Sequence, residues 1–161
     1  MNAGAVPGSV QVAIAAVREC ADSLGGRAET LGRALPPLRM DELLRAGAME
    51  LSAALSDTAV HVTADLALLQ IEIADGRADV ATVASRLSGL DQAMMRAVAS
   101  AAELADELEA AAKRDETIGP VFELVIEAVG VMLQDLARAE AETHKLRTGE
   151  TGGSEHAAVR W

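Results

Sequence analysis

The stretch AAELADELEAAAKRDE (Ala101–Glu116) combines alanine, leucine and acidic residues with two bases near its end. Alanine and leucine are among the strongest helix formers, and neither glycine nor proline interrupts the run. Its alanines and leucines share one helical stripe, and the acids occupy the remaining surface. Lys113 and Arg114 follow where a positive charge stabilises the negative end of the helix dipole. The stretch therefore predicts a helix whose small buried residues let neighbouring helices approach closely.

The same spacing of apolar residues, in steps of three and four, extends over four segments of the chain. In the first segment the series is Val10, Ile14, Val17, Ala21, Leu24, Ala28, Leu31 and Leu35. In the second it is Leu44, Ala48, Leu51, Leu55, Thr58, Val62, Leu66, Leu69 and Ile73. In the third it is Val80, Val83, Leu87, Leu90, Met94, Ala97, Ala101, Leu104, Leu108 and Ala112. In the fourth it is Phe122, Val125, Val129, Met132, Leu136, Ala139, Thr143 and Leu146. This spacing is typical of helices that pack lengthwise against one another.

Capping and breaking residues predict where the first two helices begin and end. Ser9 and Asp41 are suitable N-caps, and Pro36–Pro37 stops the first helix. Gly76 stands where a C-cap glycine is expected. The apolar series keeps its phase across Gly25–Gly26, so we predict one continuous first helix with a weak point there.

The four segments predict an all-α fold, an antiparallel up-down four-helix bundle with long helices and a flexible C-terminal tail. Pro120 suits the first turn of the fourth helix. We assign residues 1–8 to a flexible N-terminus, 9–147 to the bundle and 148–161 to the tail. The alternatives are a different direction of the third and fourth helices, or helical hairpins that pair into a dimer.

Composition narrows the classes of function. The net charge of −11 repels phosphate backbones, so we expect no nucleic-acid binding. Around the first loop, arginines offset the negative charge of the acidic residues, but no aromatic residues alternate with these arginines. We interpret the arginines as a solvated surface that faces an acidic partner. These arginines are Arg27, Arg33, Arg39 and Arg45. One cysteine, no signal-peptide pattern and no transmembrane segment predict a cytoplasmic protein.

Residues with catalytic or ligating potential are few. Cys20 has no histidine nearby in sequence, so we interpret it as a packed thiol. His61 beside the second apolar series is interpreted as a partly buried histidine rather than a phosphoacceptor. Glu140 and His144 have a spacing that could hold a metal, but we interpret them as a surface pair. We predict no catalytic residues, no metal site and no cofactor, and we do not expect an enzyme.

Two features suggest protein contacts instead. Apolar residues beyond the main series widen the second and fourth helices, which predicts either an enclosed middle section or a second interface. Trp161 and Arg160 end the chain and could form a docking peptide. The candidate interaction residues are Leu68, Ile71, Val121, Leu124, Val131, Arg160 and Trp161.

We therefore expect an acidic, non-catalytic coiled-coil-like bundle that acts through protein–protein contacts, with a protein partner or as a homo-oligomer. Its role would be that of an adaptor, scaffold, secretion chaperone or regulatory subunit. One alternative is a bundle that senses a small apolar or cationic molecule; Met94, Met95, Met132 and Phe122 would line its cavity. A further alternative is a coat protein of an apolar granule.

Overall fold

Four long α-helices make up most of the chain in the computed structural model, which describes residues 7–149. The helices are α1 (Gly8–Ala34), α2 (Glu42–Ala74), α3 (Val80–Arg114) and α4 (Gly119–Thr148). A short 3₁₀ helix, Glu116–Ile118, joins α3 to α4. No β-strand occurs between residues 7 and 149, and the predicted all-α four-helix fold is confirmed.

Aspartate side chains cap α2 and α3 at their N-termini. Asp41 Oδ1 accepts a hydrogen bond from the backbone N–H of Leu44 at 2.8 Å, as its position in the sequence predicts. Asp79 Oδ1 accepts one from the N–H of Thr82, also at 2.8 Å. Each carboxylate pairs one of the N–H groups that the first turn of a helix leaves without a partner.

The start of α1 differs from the prediction. Ser9 is not the N-cap, because α1 begins at Gly8 and Pro7 precedes it without a side-chain cap. Proline lacks a backbone N–H, but the residue before the first helical turn contributes only its carbonyl to the helix. Pro7 O accepts a hydrogen bond from the backbone N–H of Val10 at 3.0 Å. The helix continues through Gly25–Gly26 without a break and ends before Pro36–Pro37, as predicted.

Glycines with left-handed backbone conformation follow two of the helices. Gly76 has φ 71° just after α2, and Gly149 has φ 73° directly after α4. α4 begins at Gly119 with Pro120 in its first turn, as predicted. The helical region extends one residue beyond each predicted limit of 9–147. The remainder of the two predicted flexible ends, residues 1–6 and 150–161, lies outside the described part of the chain.

Contacts between α1 and α2 show that these two helices run in opposite directions. Arg18 of α1 donates a hydrogen bond to Gln70, near the end of α2. Farther along α1, Gly25 lies against Ala59 of α2, since a Cβ added to Gly25 would be 3.4 Å from the Cβ of Ala59. Near the end of α1, the Ser52 hydroxyl donates to the carbonyl of Ala28 at 2.8 Å. Later residues of α1 thus meet earlier residues of α2.

α1 packs on α2 and α4 and makes fewer contacts with α3. α3 packs extensively on α4, and α2 packs more extensively on α1 than on α3. Ion pairs on the periphery link Glu72 to Arg86 and Glu19 to Arg138. Because α2 packs extensively only on α1, its outer side is the least covered by the other helices.

Most of the core residues belong to the apolar series that the sequence predicts. All of the predicted core residues of α1 are buried. Large side chains fill the centre of the bundle with almost no exposure to solvent, and they include Ile14, Leu24, Leu55, Leu66, Leu87, Met94, Leu108, Met132 and Leu136. Val80 is an exception at the start of α3, where it is exposed.

Candidate functional site

α2 carries a second apolar face on the side opposite its core residues. Val60, Leu68 and Ile71 are exposed to 65, 56 and 53%. A helix turns by about 100° per residue, which places these three side chains on roughly the opposite side of α2 from Leu66 and Leu69. α2 therefore presents apolar side chains both to the bundle and to solvent.

Smaller exposed apolar residues extend this face along most of α2. By the same rotation, Met49, Ala53, Ala64 and Ala67 lie on the solvent side and are exposed. We call the complete set the α2 stripe: Met49, Ala53, Val60, Ala64, Ala67, Leu68 and Ile71. Its length is about 33 Å at 1.5 Å per residue, which is long enough to pack against several turns of another helix.

A shallow groove between α1 and α2 borders the stripe. Its volume is about 690 Å³, and its lining includes Gly25, Gly26, Val60, Ala64 and Ala67. Because these side chains are small or absent, the backbone of a third helix would come close to both α1 and α2. The groove and the α2 stripe share Val60, Ala64 and Ala67, so they form one continuous surface.

Acidic side chains border this surface on both sides. Glu50, Asp57 and Asp65 follow one side of the α2 stripe and are exposed. Asp22 and Glu29 of α1 line the groove on the other side. Glu29 pairs with Arg33, whereas the other four carboxylates form no ion pair within residues 7–149. The apolar surface thus lies in a negatively charged setting.

The structure divides the predicted interaction residues into three groups. Leu68 and Ile71 are exposed within the α2 stripe. Val121 is buried in the core, in the first turn of α4 alongside Val125, so the enclosed alternative and not the second interface applies to it. Leu124 and Val131 are half-buried. Arg160 and Trp161 lie outside the described residues.

The arginines near the first loop do not form one free basic surface. Arg45 Nη2 donates to the carbonyl of Leu38 at 3.0 Å, and Nη1 donates to that of Pro36. Arg45 therefore holds the loop between α1 and α2 in place. Arg33 pairs with Glu29 one turn away on the same helix.

Cys20 is buried and unsuited to nucleophilic chemistry. Burial raises the pKa of its thiol to about 12, and the negative charges of Asp135, Asp91 and Glu140 act in the same direction. A thiol attacks as the thiolate, which this environment disfavours. The sequence interpretation of Cys20 as a packed thiol agrees with this environment.

The two histidines of the bundle make only local contacts. His61 is exposed rather than partly buried as predicted, because its position on α2 turns outward, and its Nδ1 lies 2.8 Å from the carbonyl of Asp57. His144 is also exposed, and its Nδ1 lies 3.0 Å from Arg147 Nη2. Among residues 7–149, neither histidine ring makes a hydrogen bond to a carboxylate.

The predicted methionine-lined cavity takes a different form. Met94 and Met132 are fully buried in the core, and Phe122 is half-buried against it. Met95 lines a cleft between α3 and α4. The methionines of the core thus fill space between the helices rather than surround a cavity.

The described residues contain neither a cluster of metal-ligating side chains nor a helix that could span a membrane. Between residues 7 and 149, no three or more histidine, cysteine, aspartate or glutamate side chains are grouped as a metal would require. No helix in this range has an apolar stretch long enough to cross a bilayer. Comparison with known proteins found no matching family, no matching curated protein and no matching solved structure.

The prediction from sequence missed part of the α2 stripe. Val60 and Ala67 were not identified as interaction residues, although they share a helical face with Ile71. Projection of α2 onto a helical wheel would have found them, because Met49, Ala53, Val60, Ala64, Ala67 and Ile71 recur at helical spacing. The core series obscured this second periodicity.

Proposed function

We propose that this protein is a non-catalytic helical bundle that acts through protein–protein contacts, as an adaptor, scaffold, chaperone or regulatory subunit. The observation that carries the proposal is the α2 stripe, in which Val60, Leu68 and Ile71 are each more than half exposed. Contiguous apolar surface of this kind is uncommon on monomeric proteins and is characteristic of binding surfaces.

The shape of the surface favours a helical partner. The α2 stripe is straight, and the small residues of the adjoining groove let another helix come close. An amphipathic helix bound there would bury its own apolar face against Val60, Leu68 and Ile71, as in other complexes that place a helix in a groove. The hydrophobic effect would supply most of the affinity.

Charge indicates the chemistry of that partner. The chain has a net charge of −11, and Glu50, Asp57, Asp65 and Asp22 lie beside the apolar surface without ion pairs in the described part of the molecule. A partner helix flanked by lysine or arginine would complement these carboxylates and associate faster. A second copy of this chain would instead bring like charges together, so we propose a heterologous partner with a basic amphipathic helix.

The test compares the wild type with one triple and one double variant. Each protein is used to capture binding partners from the native host. The α2 variant replaces Val60, Leu68 and Ile71 by serine. The control variant replaces Ile126 and Leu133, exposed apolar residues of α4, by serine. Captured proteins are identified by mass spectrometry, the solution mass of each eluted complex is measured, and circular dichroism verifies that both variants fold.

We expect a stoichiometric partner to bind the wild type and the control variant and to be lost from the α2 variant. Mapping of its binding segment should give an apolar helix with basic flanks. Equal capture by all three proteins would refute the role of the α2 stripe. A partner segment with acidic flanks, or a homodimer that the α2 variant dissociates, would refute the proposed partner chemistry.

A further inference from the structure

A second apolar surface lies across α3 and α4 and shares no residue with the α2 stripe. Met95, Ile126 and Leu133 are exposed to 40, 40 and 45%. Met95 lines a cleft together with Ala137 and Ala141 of α4. Because a helix turns by about 100° per residue, these two alanines lie on the same side of α4 as Ile126 and Leu133. With Ala99, an exposed residue of α3, these residues form what we call the α3–α4 face: Met95, Ala99, Ile126, Leu133, Ala137 and Ala141.

α3 and α4 run in opposite directions, which defines two ends of this face. The start of α3 lies beside the end of α4, because Val80 and Thr148 line one cleft together. The end of α3 is joined to the start of α4 by the short 3₁₀ helix Glu116–Ile118. One end of the face is therefore formed by the start of α3 and the end of α4, and the other by the end of α3 and the start of α4.

Charge is divided unevenly between these two ends. Toward the end of α3 and the start of α4 lie four exposed carboxylates that form no ion pair within residues 7–149: Glu103, Asp106, Glu123 and Glu127. Toward the opposite end lie Arg96 and Arg147, which are exposed and likewise without an ion pair in this range, and one such acid, Glu140. The α3–α4 face is thus negative at one end and positive at the other, whereas acids border the α2 stripe on both sides.

A face that is charged in this way is complementary to itself. Two copies that meet face to face about a two-fold axis across the helices point in opposite directions, so the negative end of each copy meets the positive end of the other. The spacing along α3 fits such an axis near Ala99, because Arg96 precedes it by three residues and Glu103 follows it by four. Arg96 of each copy then lies opposite Glu103 of the other, which gives two ion pairs per dimer.

We propose that the chain forms a symmetric dimer through the α3–α4 face, with the two copies antiparallel about an axis near Ala99 and Leu133. Leu133 lies on α4 at about the height of Ala99, because each is one turn closer to the negative end than the neighbouring residues Ala137 and Met95. The axis therefore brings Leu133 of one copy against Leu133 of the other. The α2 stripe lies outside this interface, so each dimer carries two of them.

The experiment measures the dimer dissociation constant of the full chain by sedimentation equilibrium. The single variants Arg96→Glu and Glu103→Arg each replace both ion pairs by like charges, whereas the double variant exchanges the two charges and keeps them complementary. The single variants change the net charge in opposite directions, and the double variant leaves it at −11. General repulsion between copies would therefore give the single variants opposite effects. Leu133→Ser tests the apolar contact, Leu68→Ser on the α2 stripe is the control, and circular dichroism verifies that every variant folds.

We expect the wild type to dimerise, each single charge variant to raise the dissociation constant about tenfold or more, and the double variant to restore it to within about threefold of the wild type. Leu133→Ser should also raise it about tenfold, and Leu68→Ser should leave it unchanged. A wild type that stays monomeric up to about 0.1 mM would overturn the proposal. So would a dimer that the single charge variants leave intact, that the double variant fails to restore, or that Leu68→Ser dissociates.

Discussion

Replacement of Asp91 by asparagine should stabilise the protein at neutral pH and have little effect in acid. The pKa of the Asp91 carboxyl is raised from 3.8 to about 6, chiefly because burial disfavours its charged form. A hydrogen bond with the Thr143 side chain lowers this pKa, and the charge of Glu140 raises it. The effect of burial is larger than that of the hydrogen bond, so the net pKa shift is upward. Asparagine keeps the shape of the side chain and removes the charge.

The direction of the pH dependence follows from the raised pKa. Well below pH 3.8, the Asp91 carboxyl is protonated in both the folded and the unfolded chain, and its burial carries no electrostatic penalty. As the pH rises, the unfolded chain releases this proton first, and the folded state becomes relatively less stable. Above the folded pKa of about 6 the penalty is complete. At about 1.4 kcal/mol per pH unit, it amounts to about 3 kcal/mol.

The assay is urea unfolding of wild type and Asp91→Asn, followed by circular dichroism at about pH 4 and about pH 8. Titratable groups that interact electrostatically with Asp91 include Cys20 on α1 and Glu140 on α4, and the variant retains both. The difference in unfolding free energy between the two proteins isolates Asp91, because other carboxylates titrate alike in both. We expect the variant to gain about 1–3 kcal/mol at the higher pH, since its amide also requires hydrogen bonds.

Two results would refute this reasoning. One is a difference between variant and wild type that is the same at both pH values, since it would show that the charge of Asp91 does not matter. The other is a less stable variant at the higher pH, which would show that the carboxylate has hydrogen bonds worth more than its burial costs.

Leu66→Ala should lower the free energy of unfolding in urea by about 2–5 kcal/mol, because it leaves a cavity in the core. Leu43→Ala, on the exposed first turn of α2, should change it by less than about 0.5 kcal/mol. Equal effects of the two substitutions would contradict the assigned core. Gly26→Ala should stabilise by about 0.5–1 kcal/mol, because a Cβ there meets nothing within 4 Å inside a helix. Gly76→Ala, at φ 71°, should instead destabilise by about 1 kcal/mol, and the opposite order in the same assay would contradict the helix boundaries. Cys20 should resist a thiol reagent in the folded protein and react once urea unfolds it; rapid labelling of the folded protein would show that the thiol is accessible.

The helices could be predicted from the sequence because their signals are local. The proline pair after α1, the Asp41 cap and Gly76 mark boundaries by the backbone conformations that these residues favour or forbid. The start of α1 was misplaced, because Ser9 is an equally good cap by residue type and only the chain path shows that Pro7 already fills the position.

The outer surfaces could be predicted only in part, because exposure depends on which helices become neighbours. The apolar excess of α2 and that of α4 look alike in sequence. In the bundle, Val121 is buried by the other helices, whereas Leu68 and Ile71 remain exposed on α2. The burial of Asp91 was not predictable either, since its sequence neighbours resemble those of many solvated aspartates and only the packing of α3 against α4 covers it.

The α2 stripe is a place where the isolated bundle departs from the arrangement that would stabilise it most. Val60, Leu68 and Ile71 are each more than half exposed, so they gain only part of the free energy that full burial would supply. An apolar helix face packed on the stripe would bury them. Because binding to the folded state adds to stability, addition of such a partner helix should raise the unfolding midpoint.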